Sequence, residues 1–294
     1  MSFITSLQNS LPAWLLHVLQ LALWLVLLTA LFAPLERWFA LHPGKLLRRQ
    51  IGMDVGYYFL SSLLPAALLS LPVALMATAG QALMPAAWRQ ALQALPWWAL
   101  LLAGIVLADF GAYWGHRLCH EIPWLWRFHA IHHSAEHMDF MVNTRAHPVD
   151  MVVVRMFALA PVTLLGLGGA NAQGSLLPAV ITIVAAMSGF FVHANLRCRL
   201  GALEWLVTSP AFHHWHHSRV EHINRNYAAT FPWIDRIFGT HHLPAEWPSQ
   251  YGLAEPGPTT LATQLIGPFG FAPGRIADAA AIHAADAAQV HQSR

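Results

Sequence analysis

Nineteen histidines occur in 294 residues, and twelve of them fall between His116 and His217 in patterns that suit metal binding. HRLCH sets His116 and His120 at i, i+4, which on a helix puts both imidazoles on one face, close enough to share an ion. FHAIHHS sets His129, His132 and His133 at i, i+3, i+4, and FHHWHHS repeats the triplet with His213, His216 and His217. On a helix each triplet occupies about a third of the circumference, while His214 stands about 100° from His213 and points elsewhere. His137 lies at the edge of the first triplet and reads as a bystander. One H-x-x-H-H arises easily in a histidine-rich chain; two copies beside an H-x-x-x-H do not.

Imidazole suits zinc, copper and iron, and eight to ten such rings exceed the roughly four to six positions around a single ion, so two metals are implied. E-x-x-H and H-E-x-x-H are both absent, which removes the soluble di-iron bundle and the common zinc protease. Asp109 and Tyr113 extend the stripe of His116 and His120 at helical spacing, so Asp109 is expected to orient an imidazole from behind. His147, in AHPVD, and His193, in FFVHANLR, are single histidines that the topology brings to the level of the motifs. Neutral rings leave a metal's charge uncompensated, so Asp109 or Asp150 would matter electrostatically. His17, His42, His222, His283 and His291 have no such company.

The elements that position these residues are apolar. The chain is 56% hydrophobic and 10% charged, against about 25% charged in soluble domains. A formal charge of +2 gives no field for nucleic acid, and two cysteines, Cys119 and Cys198, give no disulfide framework. Four stretches are long enough to span a bilayer: Leu11–Leu35, read as a helix because no basic region precedes it; 55–88, one span or a re-entrant pair around Pro65 and Pro72; Gln90 through Gly115; and Met156–Leu196, which GLGGANAQG at 166–174 breaks into a hairpin. Arg37, Lys45, Arg48 and Arg49 crowd the first link, which should be cytoplasmic. Alternation then puts Arg89 on the far side and returns Arg117, Arg127, Arg145, Arg197, Arg199, Arg219 and Arg225 to the cytoplasmic side. Trp97, Trp98, Trp124 and Trp126 fall near predicted interfaces. The expected fold is an all-α multi-pass bundle of about four to five transmembrane or re-entrant helices, with a cytoplasmic helical cap holding a di-metal site. Its parts are membrane helices over 1–108, a catalytic region over 109–251 and a loosely attached Pro/Gly/Ala-rich tail over 252–294.

DFGAYWGHRLCH, RFHAIHHS, AHPVD, HANLR, FHHWHHS and NRNYAATFPWIDRIFGT, in this order from Asp109 to Thr240, resemble the fatty acid hydroxylase and sterol desaturase superfamily. The resemblance implies a non-haem di-iron centre that uses O2 and two electrons to oxidise an unactivated C–H bond of a lipid drawn from the bilayer, hydroxylation being favoured over desaturation. It implies metal roles for His116, His120, His129, His132, His133, His213, His216 and His217, and extends them to His147 and His193. Some members pair the residue matching His193 with a histidine four residues on, where this chain has Arg197, and His214, His241 and His242 match positions that vary. No haem domain is fused to the chain and two cysteines cannot hold an ordinary iron–sulfur cluster, so a separate ferredoxin- or cytochrome-type donor is expected. Zinc is expected to substitute for iron in purified protein. Asn226 and Asp235 read as turn residues, and Arg219 and Arg225 as contacts to a headgroup or donor, or as ordinary positive-inside charges. The competing readings are a metal transporter or store, whose histidines should line a path through the spans; a structural zinc protein, which needs only four ligands; and a bis-histidine haem protein.

Overall fold

In the computed structural model, residues 11–44, 48, 50–167, 176–219, 222–255 and 257–270 are described. They are predominantly helical, and the β pairing among them is confined to isolated bridges, Ala40 with Leu196 and Ser218 with Tyr251. Three helices are long and apolar enough to cross a membrane: α1 (Ala13–Trp38), α2 (Ile51–Leu83) and, after the short α3 (Ala86–Ala94), α4 (Trp97–Glu121). Even α4, with 25 residues, measures about 38 Å at ~1.5 Å per residue, against a hydrocarbon core of about 30 Å. Leu19, Leu23, Leu27 and Leu31 stand exposed down α1, where lipid is the solvent that suits them.

α2 is one continuous helix with Pro65 and Pro72 inside it, so the re-entrant alternative does not apply. The third stretch divides at Pro96, which holds Leu95 extended and separates α3 from α4. Arg89, on α3, donates to the carbonyls of Gln81 and Met84 and so closes the C-terminal end of α2.

The next helices are α5 (Pro123–His133), α6 (Pro148–Leu164) and α7 (Leu177–His193). The fourth apolar stretch therefore begins at Pro148 rather than Met156. A proline at the first helical position and the His147 side chain, which accepts from the Val149 N–H, start the helix before its first charged residues, so Asp150 and Arg155 lie within it. Most of the break at 166–174 lies outside the described residues, as do Lys45, Arg49, His283 and His291.

α4 packs closely along α6 because glycine removes the obstacle. A Cβ on Gly111 would stand 2.1 Å from the Phe157 carbonyl oxygen, and one on Gly115 2.8 Å from the Phe157 Cβ. The last turn of α4 and the first of α6 are thereby held together at one end of the bundle, where the end of α1, the start of α2 and the end of α7 also arrive.

A cap covers this end. It comprises 3-10 turns at Phe140–Thr144 and Gly201–Trp205, α8 (Pro210–His216), α9 (Trp233–Ile237) and α10 (Leu261–Ile266). Phe140 stacks on Phe32 at 5.5 Å and lies near Phe190, which joins the cap to α1 and α7. Arg145 is fully buried, donating to both Asp54 oxygens at 2.6 and 3.0 Å and to Gln50 at 2.7 Å. Arg48 bridges Asp54 and Asp139. Removing one member of such a buried set costs about 3–5 kcal/mol, because the charge left behind has no water.

Two expectations change here. Trp97, Trp98 and Trp124 are exposed as interface residues are, but Trp126 is buried against His120 and His133. Within the segment read as a loose tail, Leu261 packs on Gly56, the Leu265 carbonyl accepts from His147, and Phe269 meets Phe128 edge to face; residues beyond 270 lie outside the described part.

Candidate metal centre

Nine histidines converge in two adjoining groups under the cap. Ligand atoms of His116, His120, His129, His133 and His216 lie within 4.8 Å of one another, and so do those of His132, His193, His213 and His217. The two triplets divide reciprocally. α5 gives His129 and His133 to the first group and His132 to the second; α8 gives His216 to the first and His213, with His217 at its C-cap, to the second. The i, i+4 pair faces one way and the i+3 ring the other, which the spread of about 100° per residue permits.

Six of the nine rings are fixed from behind through Nδ1–H. His116 donates to the Tyr227 carbonyl at 2.8 Å, His120 to Asn224 Oδ1 at 3.2 Å, His129 to Asp150 Oδ1 at 2.9 Å, and His132 to the Arg145 carbonyl at 3.0 Å. His193 donates to the Gly189 carbonyl at 2.6 Å and His216 to the Arg225 carbonyl at 2.7 Å. An acceptor at Nδ1 assigns the proton there and leaves Nε2 as a lone pair. Nε2 of His116 then faces Nε2 of His129 at 3.0 Å, and Nε2 of His132 faces that of His193 at 3.1 Å. Neither member of such a pair can donate, so the lone pairs repel unless a cation lies between them. Burial and neighbouring rings hold His132, His133, His213, His216 and His217 well below the usual imidazole range, so those rings stay neutral. The donor set therefore fits metal ions, held by imidazole with the Asp150 carboxylate behind one ring.

His147 joins neither group. Its Nδ1 caps α6 at Val149 and its Nε2–H reaches the Leu265 carbonyl at 3.1 Å, so both nitrogens are engaged in holding the fold. Asp109 touches no imidazole; its oxygens accept the N–H groups of Ala229, Thr230 and Phe231 at 3.1, 3.1 and 2.7 Å. It secures the loop whose Tyr227 carbonyl orients His116, one step removed from the expected contact. Asp235 braces the same loop through Tyr227 N–H, Ala228 N–H and the Thr240 hydroxyl. Asn226, at φ 59°, donates to the Phe212 carbonyl and accepts from the His242 N–H, tertiary bonds that hold it in this conformation. His214 points away, between the Tyr251 hydroxyl and the Ala194 carbonyl, and His137 is exposed. Spacing gave no sign of Asn224 or of the backbone carbonyls as anchors, since these depend on tertiary approach. Asp150, three residues after His147 in AHPVD, was readable only as a nearby carboxylate.

Residues 101–240, which hold all nine rings and their anchors, match the family described as fatty acid hydroxylase. This stretch belongs to the fatty acid hydroxylase and sterol desaturase superfamily. Among its relatives are an ornithine lipid hydroxylase of Rhizobium tropici, 37% identical over 148 residues that cover 49% of this chain and 42% of that protein, and an alkylglycerol monooxygenase of Xenopus tropicalis, 33% identical over 166 residues that cover 55% and 34%. A methylsterol monooxygenase of Arabidopsis thaliana is 29% identical over 159 residues, covering 50% and 58%. The chain thus spans less than two thirds of the length of each of these superfamily members. No solved structure matches it.

Proposed function

We propose that the chain is a membrane oxygenase that hydroxylates an unactivated C–H bond of a lipid, using O2 and two electrons from a separate donor protein of ferredoxin or cytochrome type. The observation that carries this reading is the paired lone pairs at 3.0 and 3.1 Å within two adjoining histidine groups, in a region whose relatives are named as hydroxylases and monooxygenases of lipids and sterols. Two iron ions held there, zinc replacing them in purified protein, would supply the activation of O2 that attack on an alkyl chain requires. The chain's residues do the rest. His116, His120, His129, His133 and His216 hold one ion, and His132, His193, His213 and His217 the other. The anchors at Nδ1 fix six of the nine rings before any ion arrives, and the Asp150 carboxylate offsets charge through His129. The cap excludes bulk water, while α1, α2 and α4 keep the site at the bilayer, where an insoluble substrate is available. In this reading residues 109–251 form the catalytic region on the helices of 1–108, and the arginines at this end support a cytoplasmic orientation.

The test is lipid mass spectrometry of cells with and without the gene under labelled dioxygen, with metal analysis of gently purified protein. A lipid gaining one labelled oxygen and about two metal equivalents per chain are expected. Absence of any labelled lipid, or binding of fewer than two equivalents after reloading, overturns the proposal; products lacking two hydrogens would mark a desaturase instead.

A further inference from the structure

Beside the second histidine group lies a cavity of about 790 Å³ that the site described above does not use. It opens between the end of α1, the turn at Phe140 and the segments that follow His193 and His217; Asn195 and Arg219, each two residues past one of those rings, line it. Its charges are sorted by depth. Glu36 is buried, 8% exposed, and one of its oxygens accepts the N–H groups of Phe140 and Asn195 at 2.7 and 2.9 Å, yet no cation pairs with it among the described residues. Asp139 lines the same inner wall but shares Arg48 with Asp54, which also holds Arg145. Among the described residues, three carboxyl groups therefore stand against two guanidiniums at the inner end, and Glu36 is the one left without a cation. At the rim the sign reverses. Among the described residues, Arg37 is exposed without a carboxylate partner, and Arg219 donates to neutral oxygens of Gln250 and Tyr251, against a single acid, Glu136.

From this arrangement we infer that the cavity receives the zwitterionic headgroup of a lipid, its ammonium inward at Glu36 and its carboxylate or phosphate outward at Arg37 and Arg219. A neutral sterol or alkylglycerol head would leave the inner carboxyl group and the rim guanidiniums without charged partners. Ile51, Phe140 and Met141 give the cavity an apolar side, and Phe140 stacks on Phe32 of α1 behind it, a surface suited to the start of a chain. The inference rests on the reading of the chain as a lipid oxygenase and names the class of lipid.

The test is calorimetric titration of the purified full chain in detergent with N-hexanoyl-ornithine. Three controls accompany it: its δ-N-acetyl derivative, which lacks the ammonium; its methyl ester, which lacks the anion; and free ornithine, which lacks the chain. The parent compound is expected to bind about tenfold or more tightly than the acetyl derivative and the ester, the usual worth of a hydrogen bond to a charged group, and more tightly than free ornithine, which has no chain to bury. Glu36→Gln, which keeps an acceptor for the two amides, should erase the preference for the ammonium alone. Arg37→Gln with Arg219→Gln should erase the preference for the acid over its ester. Unchanged helicity and metal content would show that the variants fold. Equal binding of the charged and neutralised compounds, or no binding of any, overturns the inference; free ornithine binding as tightly as the acylated form assigns the cavity to a soluble zwitterion and overturns the lipid source. None of these readouts requires turnover, so a chain that hydroxylates a lipid with an uncharged head would refute this inference and leave the proposed function standing.

Discussion

The rings of His133 and His217 stack with centroids 4.5 Å apart and planes 22° from parallel, yet their Nε2 atoms serve different histidine groups. One wall is common to both groups, so disturbance of either should reach the other. His133→Ala and His213→Ala are each expected to abolish turnover and to lower bound metal from about two equivalents to one or fewer. Elemental analysis of protein that remains in the membrane checks this, and full loading of either variant would count against the shared wall.

Asp150 supports His129 through a 2.9 Å hydrogen bond, with the buried Cys119 thiol beside it. Asp150→Asn keeps the shape and removes the charge. Metal affinity should fall about 10- to 100-fold, the usual cost of losing such a partner. Competition with a chelator of known affinity reads it directly.

His147 gives the opposite expectation. His147→Ala should destabilise the protein by about 1 kcal/mol, the typical worth of a helix cap, and leave metal content at two equivalents per chain, about the wild-type value. Thermal unfolding together with elemental analysis separates the two effects.

The imidazoles of His132, His133, His213, His216 and His217 are held below their ordinary range, chiefly by burial. Between the folded values and about 6.5, the unfolded chain binds more protons than the folded one, so stability declines as pH falls. Metal-free protein should therefore keep its full stability above about pH 6.5 and lose it progressively below. A melting temperature that rises on acidification from pH 7 would contradict this.

Gly111 has the Phe157 carbonyl oxygen where its Cβ would stand. Gly111→Ala should separate α4 from α6, cost about 1–3 kcal/mol as overpacking does, and loosen the hold of Asp150 on His129. Parallel loss of thermal stability and metal is the expected result.

Much of this was legible in the sequence. The histidine motifs named eight of the nine clustered rings, because i, i+3 and i+4 spacing fixes direction on a helix regardless of what surrounds it, while His193 was a single histidine placed at their level by the topology. Low charge and long apolar runs indicated the spanning helices. Helix boundaries were less readable: a search for uncharged windows stopped at Arg155 and missed that α6 begins at Pro148. Asp109 and His147 were misjudged for one reason. Position on a helix tells which way a side chain points, but not whether a backbone amide or carbonyl arrives from a distant loop to engage it, as those of Ala229 and Leu265 do.

The reciprocal division of the two H-x-x-H-H triplets has a consequence for biogenesis. Until α8 docks, the second group has only His132 and His193, and the first lacks His216. Completion of the second group is thus postponed until the last motif has been synthesised and seated, whereas the first group already has four of its five rings on α4 and α5.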